Sequence, residues 1–176
     1  MSANMILPLT FGNGTYVFAL VENITGNTYA NIATQRYAMH SKNINSYRLR
    51  SNDYVSYNES STFYQTAKSL KTFDAIKDYI IKNFHYDYIS ALLTKKNNFE
   101  PADLEKCFQE KKGICDDLAA LTVAFARINN IPAALVIGTA NNNSHAWVEI
   151  DGKIFDPTIE VQRIKRKYEY IHERYY

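Results

Sequence analysis

Cys115 is followed after thirty positions by His145 and after eleven more by Asp156. A thiol attacks carbonyl carbon as its thiolate, an imidazole can take and return the proton, and a carboxylate can hold the ring in one orientation and tautomer. The flanking residues are Gly113-Ile114-Cys115-Asp116-Asp117-Leu118 for the thiol, and His145-Ala146-Trp147-Val148-Glu149-Ile150-Asp151-Gly152-Lys153-Ile154-Phe155-Asp156-Pro157-Thr158 for the other two.

Cys115 opens a helix expected from about Cys115 to Ile128, with Leu118, Leu121, Phe125 and Ile128 on one face and Ala119, Ala120, Ala124 and Ala126 around the rest. Small side chains on nearly every side suit a central helix packed on a sheet. The free N–H groups at its start favour a thiolate, while Asp116 and Asp117 oppose one by like-charge repulsion. A partner cation is therefore needed, and His145 is the candidate. Asn129-Asn130 ends the helix, Pro132 prevents its continuation, and Ala133 to Ile137 reads as a buried strand. Strands follow at His145 to Ile150 and Lys153 to Asp156. Asp151-Gly152 is a strong two-residue hairpin turn, which pairs Ile150 with Lys153, Glu149 with Ile154, Val148 with Phe155 and Trp147 with Asp156. Alternation then puts His145, Trp147, Ile154 and Asp156 on one face, with His145 and Asp156 diagonal neighbours at about 7–8 Å between Cα atoms. The ring's free nitrogen is expected to face a helix packed on that same face, where Cys115 meets it.

Each residue alone has a duller reading. A cysteine at a helix start is commonly a buried, inert side chain, a histidine a satisfied structural group, and an aspartate before proline a turn-former; the joint register favours chemistry. The N–H of Cys115 is a natural oxyanion donor. Gln109 and Tyr86 are weaker candidates for a second. Trp147 is read as support beneath the catalytic face, and Cys107, on an apolar helical face, as core.

The elements that must hold these groups begin with a strand at Tyr16 to Val21, a turn through Asn23 to Asn27, and a second strand at Thr28 to Thr34. A short strand is expected at Tyr54 to Tyr57. Phe73, Ile76, Ile80, Ile81 and Phe84 recur at helical spacing with Thr72 placed as N-cap. Another helix is expected from Pro101, presenting Leu104, Cys107 and Phe108 inward. At 176 residues, 46% hydrophobic and 22% charged, the chain can build one sizeable core. A single domain, 1–176, is expected, with a β-rich extension at 1–60 and a catalytic core at 61–176.

A net charge of +2 is too mild to imply nucleic acid, and the Arg163 to Lys167 cluster reads as solvated surface. No apolar run approaches the ~18 residues of a membrane span. A soluble chain is expected, extracytoplasmic if a signal segment preceded Met1. The two cysteines, eight positions apart, are expected to be free thiols, and the reading calls for no metal and no cofactor.

Gly-x-Cys opening a central helix, then His-Ala-Trp and Asp-Pro-Thr on successive strands, resembles the transglutaminase-like superfamily. Phe84-His85-Tyr86-Asp87-Tyr88 is similar to its bacterial members. The resemblance covers about Lys112 to Thr158. It implies an α+β, papain-like core with a central helix on an antiparallel sheet, Cys115 as nucleophile, His145 as base and Asp156 as orienting acid. The implied activity is acyl transfer on peptide or protein amides through a thioester, with hydrolysis favoured over cross-linking. Family members commonly have Gly where Asn130 stands, Arg where Ala134 stands and an aromatic where Leu118 stands, departures that bear on substrate contacts more than on the triad. The alternative is a binding or assembly module that keeps the fold and meets a protein partner through the N-terminal strands.

Overall fold

The computed structural model describes residues 14–26, 28–39, 48–94 and 100–176. Strands β1 (Gly14–Thr25) and β2 (Thr28–Met39) form an antiparallel ribbon with Tyr16 opposite Tyr37 and Thr25 opposite Thr28. The expected hairpin is present with longer arms, and Gly26 takes the positive φ of its turn. Its described side chains, from Glu22 to Thr25 and from Asn31 to Thr34, are exposed. Residues 1–13, 27 and 40–47 of the expected extension lie outside the described residues.

No strand forms at Tyr54 to Tyr57. Asn52 Oδ1 accepts the N–H groups of Tyr54 and Val55 at 3.0 and 2.9 Å, closing a local turn in which Val55 is buried. A short polar side chain that bonds its own backbone two or three residues on outcompetes sheet pairing here.

Helices α1 (Tyr64–Ser69) and α2 (Phe73–Asn83) follow. Thr72 Oγ1 accepts the Ala75 N–H at 3.2 Å, and Ile76 and Ile80 are fully buried, as their spacing predicts. The two-residue strand β3 (His85–Tyr86) then leads into helix α3 (Tyr88–Leu93), capped by Asp87. Helix α4 (Leu104–Glu110) starts three residues later than Pro101 because Asp103 accepts the Lys106 N–H at 3.0 Å and sets the first turn. Leu104 and Cys107 are buried. Lys111 turns left-handed at φ 55° and ends the helix. Strand β4 (Lys112–Gly113) pairs in parallel with β3.

Helix α5 (Cys115–Ile128) has the expected bounds, and every residue from Leu118 to Ile128 is buried. Each large apolar side chain buried here contributes roughly 1.5–3 kcal/mol, and the alanines let the sheet approach closely. Strands β5 (Ala134–Ala140), β6 (Asn143–Ile150) and β7 (Lys153–Phe155) follow, then helix α6 (Pro157–Gln162) and strand β8 (Tyr170–Tyr175). The sheet is antiparallel in the order β7-β6-β5-β8. Leu135, Ile137, Ala146, Val148 and Ile150 join the α5 core, while Ala134, Val136 and Trp147 form a separate cluster on the sheet's other face. Arg127 is buried with its guanidinium spent on three carbonyls, those of Ala133, Arg50 and Tyr176, at 3.0, 2.7 and 2.6 Å. It ties the end of α5 to an earlier loop and to the last strand.

Candidate active site

The hairpin that carries two of the three candidate residues has the expected register. Ile150 pairs with Lys153, Glu149 with Ile154 and Val148 with Phe155, around a turn in which Asp151 and Gly152 have φ of 50° and 70°. Asp156 departs from the expectation in one respect: strand pairing stops at Phe155, and Asp156 becomes the N-cap of α6. Its Oδ1 accepts the N–H groups of Thr158 and Ile159 at 3.0 and 3.3 Å. Pro157, with no N–H to satisfy, fits the first turn. The carboxylate is thus gripped on one oxygen by backbone, and Oδ2 is presented to His145 Nε2 at 2.7 Å.

Helix α5 does not pack on the His145 face, as the alternation of inward Ala146, Val148 and Ile150 shows. His145 shares the opposite face with Trp147, whose ring lies 6.2 Å from the imidazole at 28°. The expectation that the helix packs on the His145 face is corrected: α5 packs on the opposite face, and Cys115, at its tip, comes near His145 from there. Trp147 is fully buried and lies against the ring. Room for it comes from Gly138 on β5, where a Cβ would lie 3.0 Å from the indole and 2.0 Å from the Ile171 carbonyl oxygen.

The helix tip is set by close packing. A Cβ on Gly113 would lie 2.6 Å from Asp117 Cβ and 3.1 Å from Cys107 Sγ. Asp117 Oδ2 accepts the Ile114 N–H at 3.0 Å, so one of the two acidic residues after Cys115 caps the helix. The N–H of Cys115, in the first turn, has no intrahelical acceptor and is free for an oxyanion.

Electrostatics favour a charged ring. Burial works against the His145 imidazolium, but hydrogen bonds to Asp156 and Cys115 and the negative charges on both outweigh it and push the group up to about 10. With Nε2 given to Asp156, Nδ1 remains for Cys115. Asp116 goes the other way: burial, then the charge of Asp117, pushes its carboxyl up to about 6. Its Oδ1 has no hydrogen-bond partner among the described residues. The repulsion expected from the acidic pair is therefore softened at Asp116, which takes up a proton easily.

Of the weaker candidates, Tyr86 is brought to the site and Gln109 is not. Tyr86 pairs with Gly113 across β3 and β4, and burial followed by the charges of Cys115 and Asp116 pushes its phenol up to about 12. It is a half-buried hydroxyl donor beside the thiol. Gln109 is exposed near the end of α4, and its side chain makes no hydrogen bond among the described residues. One group was not anticipated. Tyr170, on β8, donates its hydroxyl to Asp156 Oδ2 at 2.9 Å. Tyr170 and His172, on either side of Ile171, share the face of Trp147, beside the charge run of Arg163 to Lys167 that drew the surface reading.

Comparison with known proteins places these features in a family. The transglutaminase-like superfamily model matches residues 56–157, a span that contains Cys115, His145 and Asp156. A candidate cysteine protease from Cytophaga hutchinsonii shares the fold, with a TM-score of 0.53 and 16% identity over 93% of this chain and 69% of its own. The periplasmic domain of TgpA from Pseudomonas aeruginosa is 18% identical over 68% of this chain and 48% of that domain, with a TM-score of 0.47. No curated protein matches the chain. On the match across more than half its length, with an α+β architecture in agreement, this chain belongs to the transglutaminase-like superfamily.

Proposed function

We propose that this chain is a cysteine acyl-transfer enzyme acting on peptide or protein amides, with Cys115 as nucleophile, His145 as proton carrier and Asp156 as the acid that orients it. The observation that carries the reading is a histidine bonded at Nε2 to Asp156 Oδ2 at 2.7 Å, with the Cys115 thiol close enough to raise the ring's proton affinity. The Cys115 thiolate attacks the amide carbonyl carbon, the C=O electron pair moves to oxygen, and the oxyanion is met by the Cys115 N–H. Collapse expels the amine, which takes its proton from the His145 imidazolium, leaving a thioester on Cys115 and a neutral ring. Water, deprotonated by His145, then attacks the thioester, and the thiol leaves as thiolate while the ring regains its charge. An amine in place of water would give a new amide. Hydrolysis is favoured, since water needs no acceptor site. The described fold is proposed as one domain, with the β1–β2 ribbon as an extension of the core.

Thiol labelling tests the first half of this and product analysis the second. Cys115 is expected to alkylate at neutral pH far faster than Cys107, and a peptide library is expected to yield cleaved products without added amine. Equal, slow labelling of both thiols would instead make the chain a binding module that kept the fold. Products that form only with added amine would replace hydrolysis by transfer.

A further inference from the structure

We infer that Tyr170 is a fourth member of the reacting group, a positioning residue that acts through Asp156 on the proton affinity of His145; this rests on the Cys115 and His145 roles proposed above. Its strand, β8, follows residue 157, where the family match ends. The Asp156 carboxylate accepts four hydrogen bonds, two on each oxygen and of different kinds. Oδ1 takes two backbone N–H groups at 3.0 and 3.3 Å, which hold the carboxylate in place. Oδ2 takes His145 Nε2 at 2.7 Å and the Tyr170 hydroxyl at 2.9 Å. The phenol therefore draws on the same oxygen, and the same negative charge, that supports the imidazolium.

Tyr170 is held to that task from three sides. Its backbone pairs with Ala140 on β5. The neighbouring Glu169 is clamped by Asn141, whose N–H donates to the Glu169 carbonyl at 2.9 Å and whose Oδ1 accepts the Glu169 N–H at 2.9 Å. Its ring packs on Trp147 at 4.9 Å, the same indole that backs His145. Burial, then the charge of Asp156 and the hydrogen bond to it, with Tyr168 and Glu160 adding to the effect, keep the phenol protonated far above its ordinary range. It is a donor at any working pH. One oxygen shared between two donors gives a carboxylate that grips the ring less tightly than it would alone, so the imidazolium releases its proton to the leaving amine more readily.

Tyr170→Phe keeps the ring and removes only the donor. In the parent and in this variant, His145 ring nitrogens are followed by NMR across pH, and kcat and KM are measured on a cleaved peptide. The expected result is a His145 midpoint displaced to higher pH by about half a unit or more, with kcat reduced roughly threefold to thirtyfold and KM within twofold. An unchanged midpoint overturns the inference, even if stability falls, because a purely structural tyrosine would show that pattern. A change in KM alone overturns it as well and makes Tyr170 a substrate contact. The NMR readout requires no turnover, so it judges Tyr170 even if the chain cleaves no peptide, and inactivity of the parent counts against the proposed function alone.

Discussion

Cys107 and Cys115 are eight positions apart, flank the same glycine and lie on successive helices, yet their surroundings are opposed. The Cys107 thiol is 3% exposed on the inner face of α4, and burial followed by the charge of Asp117 pushes it far above the ordinary thiol range. Lys111 is the nearby cation, but it is turned toward the Phe108 ring, with Nζ 3.3 Å from the centroid. Cys115 is partly exposed at a helix N-terminus, and the cation beside it is an imidazolium anchored by a carboxylate. Under the proposed mechanism, what separates the two thiols is a partner delivered by a hairpin thirty residues away. The local helix supplies only the N–H groups.

The strongest way to break this contrast is to exchange which thiol is present. Cys115→Ala should lower kcat roughly 10⁴-fold or more, while Cys107→Ala should leave it within a fewfold. A peptide-cleavage assay with both variants decides, and retained turnover in Cys115→Ala removes the mechanism.

Next in size is the partner. His145→Ala should slow alkylation of Cys115 on the order of 10–100-fold, toward the rate of Cys107. The ring also predicts a pH dependence. A histidine held charged to about 10 in the folded chain, against about 6.5 in the unfolded one, contributes stability present in full below pH 6.5 and lost as pH rises toward 10. Parent and variant should therefore differ most in melting temperature below pH 6.5 and converge at about pH 10. A constant difference across that range would mean that the ring stabilises by packing alone.

The glycine between the two thiols sharpens the contrast geometrically. Gly113→Ala drives a Cβ against Asp117 Cβ and Cys107 Sγ at once, and overpacking of this kind costs about 1–3 kcal/mol. Denaturant unfolding should show that loss, with slower Cys115 alkylation because the cap of α5 moves. A variant as stable and as reactive as the parent would mean that the helix tip tolerates displacement.

Much of the site could be read from the sequence because its determinants are local. The Asp-Gly turn sets the register of β6 and β7, and Gly113 with the apolar period of α5 sets the helix start, so both ends of the Cys115 and His145 pair were encoded within short segments. Which face of the sheet α5 covers was not. Period-two alternation says that His145 and Trp147 share a face, but both faces of β6 are buried, and the pattern alone cannot say which one meets the helix. Asp156 as a helix cap depended on α6, a six-residue helix whose only clear apolar positions are Ile159 and Val161, too few to show a period. Tyr170 was hidden for a different reason: its strand can be read locally, but its contact with Asp156 joins β8 to the residue after β7 at the opposite edge of the sheet, which no local signal describes.

The smallest effect on thiol reactivity concerns the acid beside Cys115. Asp116 is pushed up to about 6 by burial and by Asp117, with Oδ1 lacking a partner. The unfolded chain gives up this proton near pH 3.8 and the folded chain only near 6. Between those values the folded state binds more protons, so stability falls as pH rises through the window and stays reduced above it. A shift of that size corresponds to about 2–3 kcal/mol. Asp116→Asn removes the ionisation while leaving a polar atom unpartnered in the same place, and that residual cost is the same at every pH. The variant should therefore gain on the parent, in melting temperature, between pH 3.5 and 7, with most of the gain complete by about pH 6. The same substitution removes a negative charge next to Cys115 and should speed its alkylation severalfold at neutral pH while leaving Cys107 slow, which would widen the contrast between the two thiols. An equal difference from the parent at both pH values would mean that burial of Asp116 carries no electrostatic penalty, and unchanged alkylation would mean that its charge does not restrain Cys115.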